Sequence, residues 1–205
     1  MGPITVLPGQ CLLFPDFLAP SDGYTLFEVL QKSVEWETHS VRLFGRTHRC
    51  PRLIAWYGDP GARYRYSGVT HQPRPWLEEL RALRLEIQRT LGSPFNSVLL
   101  NYYRDGNDSM GMHSDDEKEL GHIPVIASVS LGDARRFTFQ PRGNNCEPGV
   151  KLDLPHGSLL VMQANCQQEW KHGVPKTRKA VGERINLTFR NILRQAESVL
   201  PAGPG

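Results

Sequence analysis

The sequence has few cysteines and no long hydrophobic run. Its 205 residues include only four cysteines, Cys11, Cys50, Cys146 and Cys166, and no two of them form a C-x-x-C pair. This spacing argues against a zinc ribbon or a redox-active dithiol. No apolar run approaches the roughly 20 residues that span a bilayer, and no secretory signal pattern opens the sequence. We therefore expect a protein that is not secreted, has no membrane partner and keeps its thiols reduced.

The composition is that of an ordinary globular protein. Hydrophobic residues make up 39% of the sequence and charged residues 22%, so the chain can bury a core and disorder is not indicated. The length predicts a single domain over residues 1–205, since it gives no strong case for two. The formal net charge of +3 permits a polyanionic partner without requiring one, because binding depends on where the charges cluster.

The pattern of apolar residues before Gly92 predicts two helices. The first lies in "PSDGYTLFEVLQKSVEW", where Ser21 or Asp22 would cap it. The second lies in "QPRPWLEELRALRLEIQRTLG" and would end at Gly92. These segments predict that helices flank the remainder of the domain on its N-terminal side.

After Gly92, short β-rich runs alternate with turns rich in Gly, Asp, Asn and Pro. About half of the protein is therefore predicted to be short strands, which suggests a sandwich, a jelly roll or a barrel. The fold class is α+β and mainly β. The expected parts are N-terminal helices with a recognition segment (1–92), a catalytic core (93–193) and a tail (194–205).

One histidine stands beside a group of acids in "GMHSDDEKEL", residues 111–120. His113 and Asp115 are two positions apart, so on an extended strand they would project from the same face. His172 in "EWKHGVPK" is the best third ligand, since a β-roll can bring distant strands together. Two histidines and one carboxylate that leave three positions open are typical of non-haem Fe(II) oxygenases. The alternative is a solvated acidic turn without a metal.

A second motif is the strand-like "RINLTFR", residues 184–190. Arg184, Asn186, Thr188 and Arg190 would share one face of this strand. Arginine binds carboxylates through two parallel hydrogen bonds and stays charged when it is buried. Two arginines on one face, together with a metal triad, indicate 2-oxoglutarate as a cosubstrate. The alternative is a half-buried strand whose polar face lies in water.

With these motifs the sequence resembles the AlkB family of Fe(II)- and 2-oxoglutarate-dependent nucleic-acid dealkylases, and most closely its DNA-repair members. The marks of the resemblance, in order, are "LLNYYRDG", "MHSDDE", "PVIASVSLG", "RRFTF", "HGSLLVM", "WKHGVPK" and "RINLTFR". The resemblance implies a double-stranded β-helix (jelly-roll) core with flanking N-terminal helices and a nucleotide-recognition lid. It also implies Fe(II) as the metal and His113, Asp115 and His172 as its ligands and as the catalytic residues.

The resemblance further implies which residues contact 2-oxoglutarate. Arg184 would pair with the distal carboxylate and Arg190 would meet the end that chelates iron, although the two arginines could be exchanged. The other implied contacts are Asn101, Tyr103, Asn186 and Thr188.

The implied reaction is oxidation of an N-alkyl group on a base such as 1-methyladenine or 3-methylcytosine, with release of formaldehyde, succinate and carbon dioxide. These groups lie on the Watson–Crick edge, so a base in a duplex must first be flipped out. By resemblance, Tyr66 would stack on that base and Tyr64 would hydrogen-bond nearby, whereas the alternative is an aromatic cross-strand pair. Asp116 and Glu117 would lie at the rim of the base pocket.

The segment "VRLFGRTHR" places Phe44 in a basic turn with Gly45 and Arg46. An apolar wedge flanked by cations can enter a base stack while the cations hold phosphates. The resemblance implies that Phe44 fills the gap left by a flipped base, and the alternative is a core phenylalanine beside a solvated loop. Further candidate phosphate contacts are Arg42, Arg49, Arg135 and Arg136.

Several functions remain open at this level. A DNA-repair dioxygenase leads, and an RNA base demethylase or a protein hydroxylase would use the same chemistry. A binding module without catalysis would lack part of the triad or one arginine, whereas all five positions are present. We expect a monomer that acts on single- or double-stranded alkylated DNA, with RNA as an alternative. Its compartment would be the cytoplasm of a bacterium or the nucleus of a eukaryote.

Overall fold

The structure is a computed structural model that describes residues 2–43, 46–62, 64–66, 69–143 and 148–193. The helices are α1 (Pro20–Ser33), α2 (Glu78–Leu91) and α3 (Cys166–Glu169), with a 3-10 turn at Lys118–Leu120. The strands are β1 (Ile4–Leu7), β2 (Cys11–Phe14), β3 (Glu37–Leu43), β4 (Arg46–Gly58), β5 (Tyr64–Tyr66), β6 (Val69–His71), β7 (Ser97–Tyr103), β8 (Met110–His113), β9 (Ile126–Gly132), β10 (Arg135–Pro141), β11 (Val150–Leu154), β12 (Ser158–Met162), β13 (Trp170–Val174) and β14 (Arg184–Arg190).

Two antiparallel sheets form the body of the protein. The larger sheet has eight strands in the order β1-β2-β12-β9-β14-β7-β4-β3, and the smaller has four in the order β11-β10-β13-β8. Many neighbours in space are distant in sequence, as is typical of a jelly roll. Strand β14 lies inside the larger sheet, between β7 and β9. This topology confirms the predicted mainly β fold with a jelly-roll core.

Two hydrophobic clusters lie on opposite faces of the larger sheet. On the outer face, Leu30 of α1 and Ile87 of α2 pack with Leu187 of β14. On the inner face, Phe139 of β10 packs with Leu160 of β12, so this cluster fills the space between the two sheets. Because side chains alternate along a strand, β14 sends its apolar residues to the helices and its polar residues to the space between the sheets.

Helix α2 ends where the sequence predicted, whereas α1 begins at a different residue from the one predicted. Gly92 ends α2 in the left-handed conformation, with φ of 65°, where glycine carries no steric penalty. In α1 the capping residue is Ala19, which makes no side-chain cap hydrogen bond, and Pro20 begins the helix. Ser21 and Asp22 lie inside the first turn, so the prediction that one of them caps the helix was wrong. Proline suits this first position because its missing N–H has no partner there anyway.

Strands β1 to β4 form both edges of the larger sheet, although the sequence predicted only helices and a recognition segment before Gly92. Strand β2 pairs with β12, and Leu13 lies opposite Leu160. Strand β4 pairs with β7 at the other side. The short, Gly- and Pro-containing β1–β2 segment has little local signal, and it becomes a strand pair because a distant strand offers its hydrogen-bonding edge.

The predicted recognition lid is only partly covered by the described residues. Phe44 and Gly45 lie outside them. Arg46 begins β4, and Tyr64 and Tyr66 are in β5, which pairs with β6 in a separate two-stranded sheet, but the side chains of these three residues also lie outside what is described. In the part of the chain that is covered, no helix is long and apolar enough to cross a membrane.

Candidate metal centre and cosubstrate pocket

Two histidines lie opposite each other on neighbouring strands of the smaller sheet. His113 is the last residue of β8 and His172 is in the middle of β13, and the two are register partners. Asp115 follows the end of β8, so the expectation that it lies on the strand was wrong. One ligand atom from each of the three residues nevertheless lies within 4.8 Å of the others. The fold thus brings the predicted ligand set to one point.

The three side chains leave atoms that suit a cation. Asp115 Oδ2 lies 3.8 Å from His172 Nε2, and Asp115 Oδ1 lies 3.9 Å from His113 Nε2, both too long for hydrogen bonds. Asp115 Oδ2 is buried and has no hydrogen-bond partner among the described residues. A buried carboxylate oxygen without a donor is costly. A metal between these atoms would satisfy it, so the donor set fits Fe(II).

The orientation of each histidine is set by its surroundings. His113 Nδ1 lies 2.9 Å from the carbonyl oxygen of Gly111. Since a carbonyl only accepts, Nδ1 carries the proton and Nε2 keeps a lone pair for a metal. The His172 ring stacks on Phe137 with centroids 5.4 Å apart and meets Phe139 edge to face at 6.1 Å. These contacts fix the ring before any metal binds.

Arg190 and Gln167 hold Asp115 from two sides. Arg190 Nη2 lies 2.7 Å from Asp115 Oδ1, and the backbone N–H of Asp115 donates to Gln167 Oε1 at 2.8 Å. Burial by itself would raise the pKa of Asp115, but the charges of Arg190, His172 and His113 outweigh it and lower that pKa to about 2. The carboxylate is therefore ionised near neutral pH, as metal ligation requires.

Burial also controls the protonation of the second buried ligand. It lowers the pKa of His172 to about 3, while the nearby Asp115 carboxylate acts in the opposite direction. A histidine binds a metal through the lone pair of its neutral ring. At neutral pH both buried ligands are thus already in the form that a metal ion requires.

A polar strip faces the space between the sheets beside the metal ligands. It forms where β14 pairs with β7, with Arg184 opposite Tyr103 and Asn186 opposite Asn101. All seven residues of β14 are buried, so the alternative of a polar face in water is wrong. The strip reaches the metal site at its other end, where Arg190 contacts the carboxylate ligand.

Arg184 is a buried cation with unused donors. Its side chain is only 1% exposed, and its Nη2 donates to Ser130 Oγ at 2.9 Å. Its Nε and Nη1 have no hydrogen-bond partner in the described part of the chain. Burial lowers the pKa of Arg184, yet a guanidinium stays charged in proteins. Unused donors on a buried guanidinium suit an anionic ligand such as a carboxylate.

Arg52 supports a predicted cosubstrate ligand, although no motif in the sequence marks it. It is buried on β4, and its Nε donates to Asn101 Oδ1 at 2.6 Å. Because Oδ1 is occupied as an acceptor, the amide nitrogen of Asn101 is the group left to donate to a ligand. The two residues are 49 positions apart, and "CPRLIAW" carries no local signal that would have identified Arg52.

Asn186 and Thr188 have most of their polar atoms engaged within the sheet. Asn186 Nδ2 donates to Ser128 Oγ at 2.8 Å and to the Val129 carbonyl at 3.0 Å. Thr188 Oγ1 donates to Asn186 Oδ1 at 3.1 Å. These residues therefore form an ordered wall between Arg184 and Arg190.

The two acids after Asp115 have different surroundings. Asp116 is exposed, and its Oδ2 accepts from Arg142 Nη1 at 2.7 Å. Arg142 also donates to the Gln167 carbonyl at 2.9 Å, so it links the acid to a residue that supports the metal ligand. Glu117 is partly buried. Asp116 is the residue directly after the metal ligand Asp115, and Glu117 is the next one, so both are close to a metal ligand in sequence.

The structure overturns the prediction that Arg135 contacts a phosphate, whereas the same role for Arg136 stays a prediction. Arg135 is 2% exposed, so its guanidinium cannot reach a polyanion at the surface. Arg136 is at the surface but pairs with Asp153 on the adjacent strand β11, with Nε 2.7 Å from Oδ1. Neighbours in sequence on a strand point to opposite faces, which explains why one arginine is buried and the other exposed.

The fold and the site define an iron- and 2-oxoglutarate-dependent oxygenase. Residues 10–190 match the family model of the 2OG-Fe(II) oxygenase superfamily. Fe(II) is accordingly the metal for the His113, Asp115 and His172 cluster, and 2-oxoglutarate is the cosubstrate, as the sequence predicted.

The chain belongs to the AlkB family within this superfamily. It is 42% identical over 177 residues to the Bos taurus protein "DNA oxidative demethylase ALKBH2", which covers 82% of this chain and 64% of that protein. The human protein of the same name is 41% identical over 177 residues, or 82% of this chain and 68% of the relative. The Rattus norvegicus "Alpha-ketoglutarate-dependent dioxygenase alkB homolog 3" is 40% identical over 188 residues, which cover 88% of this chain and 63% of that protein. The chain therefore spans about two thirds of the length of these relatives.

A solved structure of OsALKBH1 has the same fold. Its TM-score is 0.67, and the match covers 91% of this chain and all of that chain. The sequence identity is 16%, so this likeness concerns the fold alone.

Proposed function

We propose that this protein is a DNA-repair dioxygenase that oxidatively demethylates N-alkylated bases such as 1-methyladenine and 3-methylcytosine. The observation that carries the proposal is the cluster of His113, Asp115 and His172 beside a buried wall in which Arg184 has unused donors. The names of the relatives at 42% and 41% identity support DNA as the polymer.

The cosubstrate would lie along the polar strip. Arg184 would bind the distal carboxylate, because it has unused donors and lies at the end of the strip remote from the metal ligands. Arg190 would face the iron-chelating end, and its contact with Asp115 supports this order of the two arginines over the reverse. Tyr103 and the amide nitrogen of Asn101 would complete the hydrogen bonds to 2-oxoglutarate.

The bound iron supplies the oxidation of the N-methyl group, coupled to conversion of dioxygen and 2-oxoglutarate into succinate and carbon dioxide. The residues of the chain orient the reactants and exclude water. The hydroxymethyl group left on the base nitrogen then departs as formaldehyde. His113, Asp115 and His172 would act only as ligands, since their lone pairs are committed to the metal.

The base pocket would be built by the rim acids and the recognition segment. Asp116 and Glu117 suit an alkylated base, because 1-methyladenine and 3-methylcytosine carry a positive charge that carboxylates attract. Tyr66 would stack on the flipped base and Tyr64 would hydrogen-bond near it. Phe44 would enter the base stack of the duplex as a wedge, with Gly45 and Arg46 beside it.

We propose that residues 93–193 form the catalytic core and residues 1–92 complete the sheet and supply recognition. The active unit would be a monomer, because all three metal ligands and both cosubstrate arginines come from one chain. The enzyme would act where the DNA is, in the cytoplasm of a bacterium or in the nucleus of a eukaryote.

The test is a mass-spectrometric turnover assay with Fe(II), ascorbate and 2-oxoglutarate on 1-methyladenine in single-stranded DNA, duplex DNA and RNA. We expect repair of both DNA forms, with none by the His172→Ala variant. Faster turnover of RNA than of either DNA form would show that RNA is the preferred substrate. Unchanged turnover by His172→Ala would overturn the metal assignment. Phe44→Ala should reduce repair of the duplex more than repair of the single strand.

A further inference from the structure

Arg135 is a second buried cation beside the cosubstrate pocket. It begins β10, three residues after Gly132, which is the register partner of Arg184 on β9. Its Cζ lies 5.6 Å from the centroid of the Tyr103 ring, and the Cζ of Arg184 lies 5.2 Å from the same centroid. Two guanidinium groups therefore lie over the ring of one proposed cosubstrate ligand.

The donors of Arg135 are committed to backbone carbonyls. Nη1 donates to Asp105 O at 2.9 Å, and Nη2 donates to Asp108 O and Pro175 O at 2.9 Å each. The first two carbonyls are in the loop after β7, which carries Tyr103, and the third is directly after β13, which carries His172. Arg135 thus joins the loops that follow two strands of the site, which fixes its guanidinium over the Tyr103 ring.

No carboxylate lies within ion-pair distance of Arg135 or of Arg184 in the part of the chain that is described. Burial lowers the pKa of each guanidinium, and the charge of Arg135 adds to this shift at Arg184. The two buried cations repel each other, and the charges of Asp108 and Asp105 offset the effect of burial on the pKa of Arg135 only in part. The Tyr103 ring, which both guanidinium groups contact, compensates part of their charge through cation–π attraction. This attraction is strongest where water is excluded. An anion at the free donors of Arg184 would supply the remainder.

We propose that Arg135 is a positioning residue for 2-oxoglutarate, which acts by holding the Tyr103 ring in place beside Arg184. It makes no contact with the reacting atoms. The inference rests on the assignment of Tyr103 and Arg184 to the cosubstrate made above. A residue with this role affects how tightly 2-oxoglutarate binds, whereas turnover at saturating 2-oxoglutarate is little changed.

The test measures binding of 2-oxoglutarate to the full chain loaded with Mn(II), by isothermal titration calorimetry without turnover. Arg135→Met should weaken binding by roughly tenfold, which lies within the range of about 0.5–2 kcal/mol for the loss of one cation–π contact. Arg136→Met is the matched control, since this neighbour is exposed and paired with Asp153, and its dissociation constant should stay within about twofold of the parent. Arg184→Met tests the pocket itself, because unchanged binding in that variant would overturn the cosubstrate site rather than the role of Arg135.

Two further variants separate positioning from simple bracing of the loops. Arg135→Lys keeps the charge but loses the planar guanidinium, and it should bind 2-oxoglutarate more weakly than the parent. It serves as the test variant if Arg135→Met does not fold. In a Tyr103→Leu background, Arg135→Met should cost less than about threefold, because the ring it positions is gone. A lower melting temperature with an unchanged dissociation constant, or a full tenfold loss in the Tyr103→Leu background, would overturn the proposal.

Discussion

Arg190 Nη2 contacts Asp115 Oδ1 at 2.7 Å, and the other oxygen of the same carboxylate has no hydrogen-bond partner among the described residues. The carboxylate is thus held on one side by a cation and left available on the other. This relationship joins the proposed iron-binding and cosubstrate-binding parts of the site through one buried ion pair. Each member of the pair therefore depends on the other to compensate its buried charge.

Replacement of Arg190 by methionine should destabilise the metal-free protein. The change leaves Asp115 buried without its cation, and breaking a buried pair in this way costs about 3–5 kcal/mol. Urea denaturation of the metal-free chain measures the free energy of unfolding. The double variant Arg190→Met, Asp115→Leu should recover part of the loss because it removes the orphaned charge as well. A double variant that is as unstable as the sum of the single changes would argue against this coupling.

Gln167 should matter for metal affinity although it is not a ligand. Its Oε1 accepts the backbone N–H of Asp115 at 2.8 Å, and loss of such supporting hydrogen bonds weakens metal binding by about 10–100-fold. We expect Gln167→Leu to show a loss in this range in a Mn(II) titration followed by calorimetry. Its neighbour Gln168 is the control, since its amide bonds to His122 instead. Equal losses for Gln167→Leu and Gln168→Leu would show that the effect is not specific to Asp115.

Arg52 should affect the KM for 2-oxoglutarate. Its Nε holds Asn101 Oδ1 at 2.6 Å, which turns the amide nitrogen toward the pocket. Without it the amide can flip and present an acceptor to an anion, so Arg52→Met should raise the KM by about tenfold. Arg89→Met on the exposed face of α2 is the matched control. A KM for Arg52→Met equal to that of the control would contradict the orienting role.

Buried thiols should make the protein less stable in alkali. Burial raises the pKa of Cys11, with Cys166 adding to it, and raises the pKa of Cys166 to about 12, with Asp115 and Glu169 adding. The pKa of a thiol in the unfolded chain is about 8.5. Above that pH the unfolded chain has released protons that the folded chain keeps, so stability is complete below about pH 8.5 and falls as pH rises toward the folded pKa values.

The loss should be about 1.4 kcal/mol per pH unit for each thiol. Urea unfolding at a series of pH values between about 8 and 10 measures it. The Cys166→Ala variant should lose stability with pH less steeply than the parent, whatever its absolute stability. Parallel slopes for the two proteins would refute the contribution of Cys166.

Much of the site could be predicted from short motifs, and the reasons are local. The i, i+2 spacing of His113 and Asp115 and the alternation of Arg184 and Arg190 follow from strand geometry. Even here the details differ, because β8 ends at His113 and Asp115 reaches the site from the segment that follows. The burial of both faces of β14 could not be predicted locally, since it arises from helices on one side and a second sheet on the other.

The supporting residues depend on contacts between distant parts of the chain. Arg52 meets Asn101 across 49 positions, and Arg135 meets Pro175 across 40. Neither pair has a spacing or composition that marks it, because each exists only when separate strands or loops are packed together. The sequence predicted Arg135 as a surface phosphate contact for the same reason: it could not tell which of two adjacent arginines points inward.

The amino-acid sequence by itself determined the class of chemistry: the residue types for an iron site and a dicarboxylate site, their order along the chain, and the strand-rich fold that can join them. Only the tertiary structure decided which oxygen of Asp115 is free, which nitrogens of Arg184 are unused and which way the Asn101 amide faces. Donor and acceptor types are properties of single residues. Whether a donor or acceptor is available depends on what packs against it, and long-range strand pairing decides that.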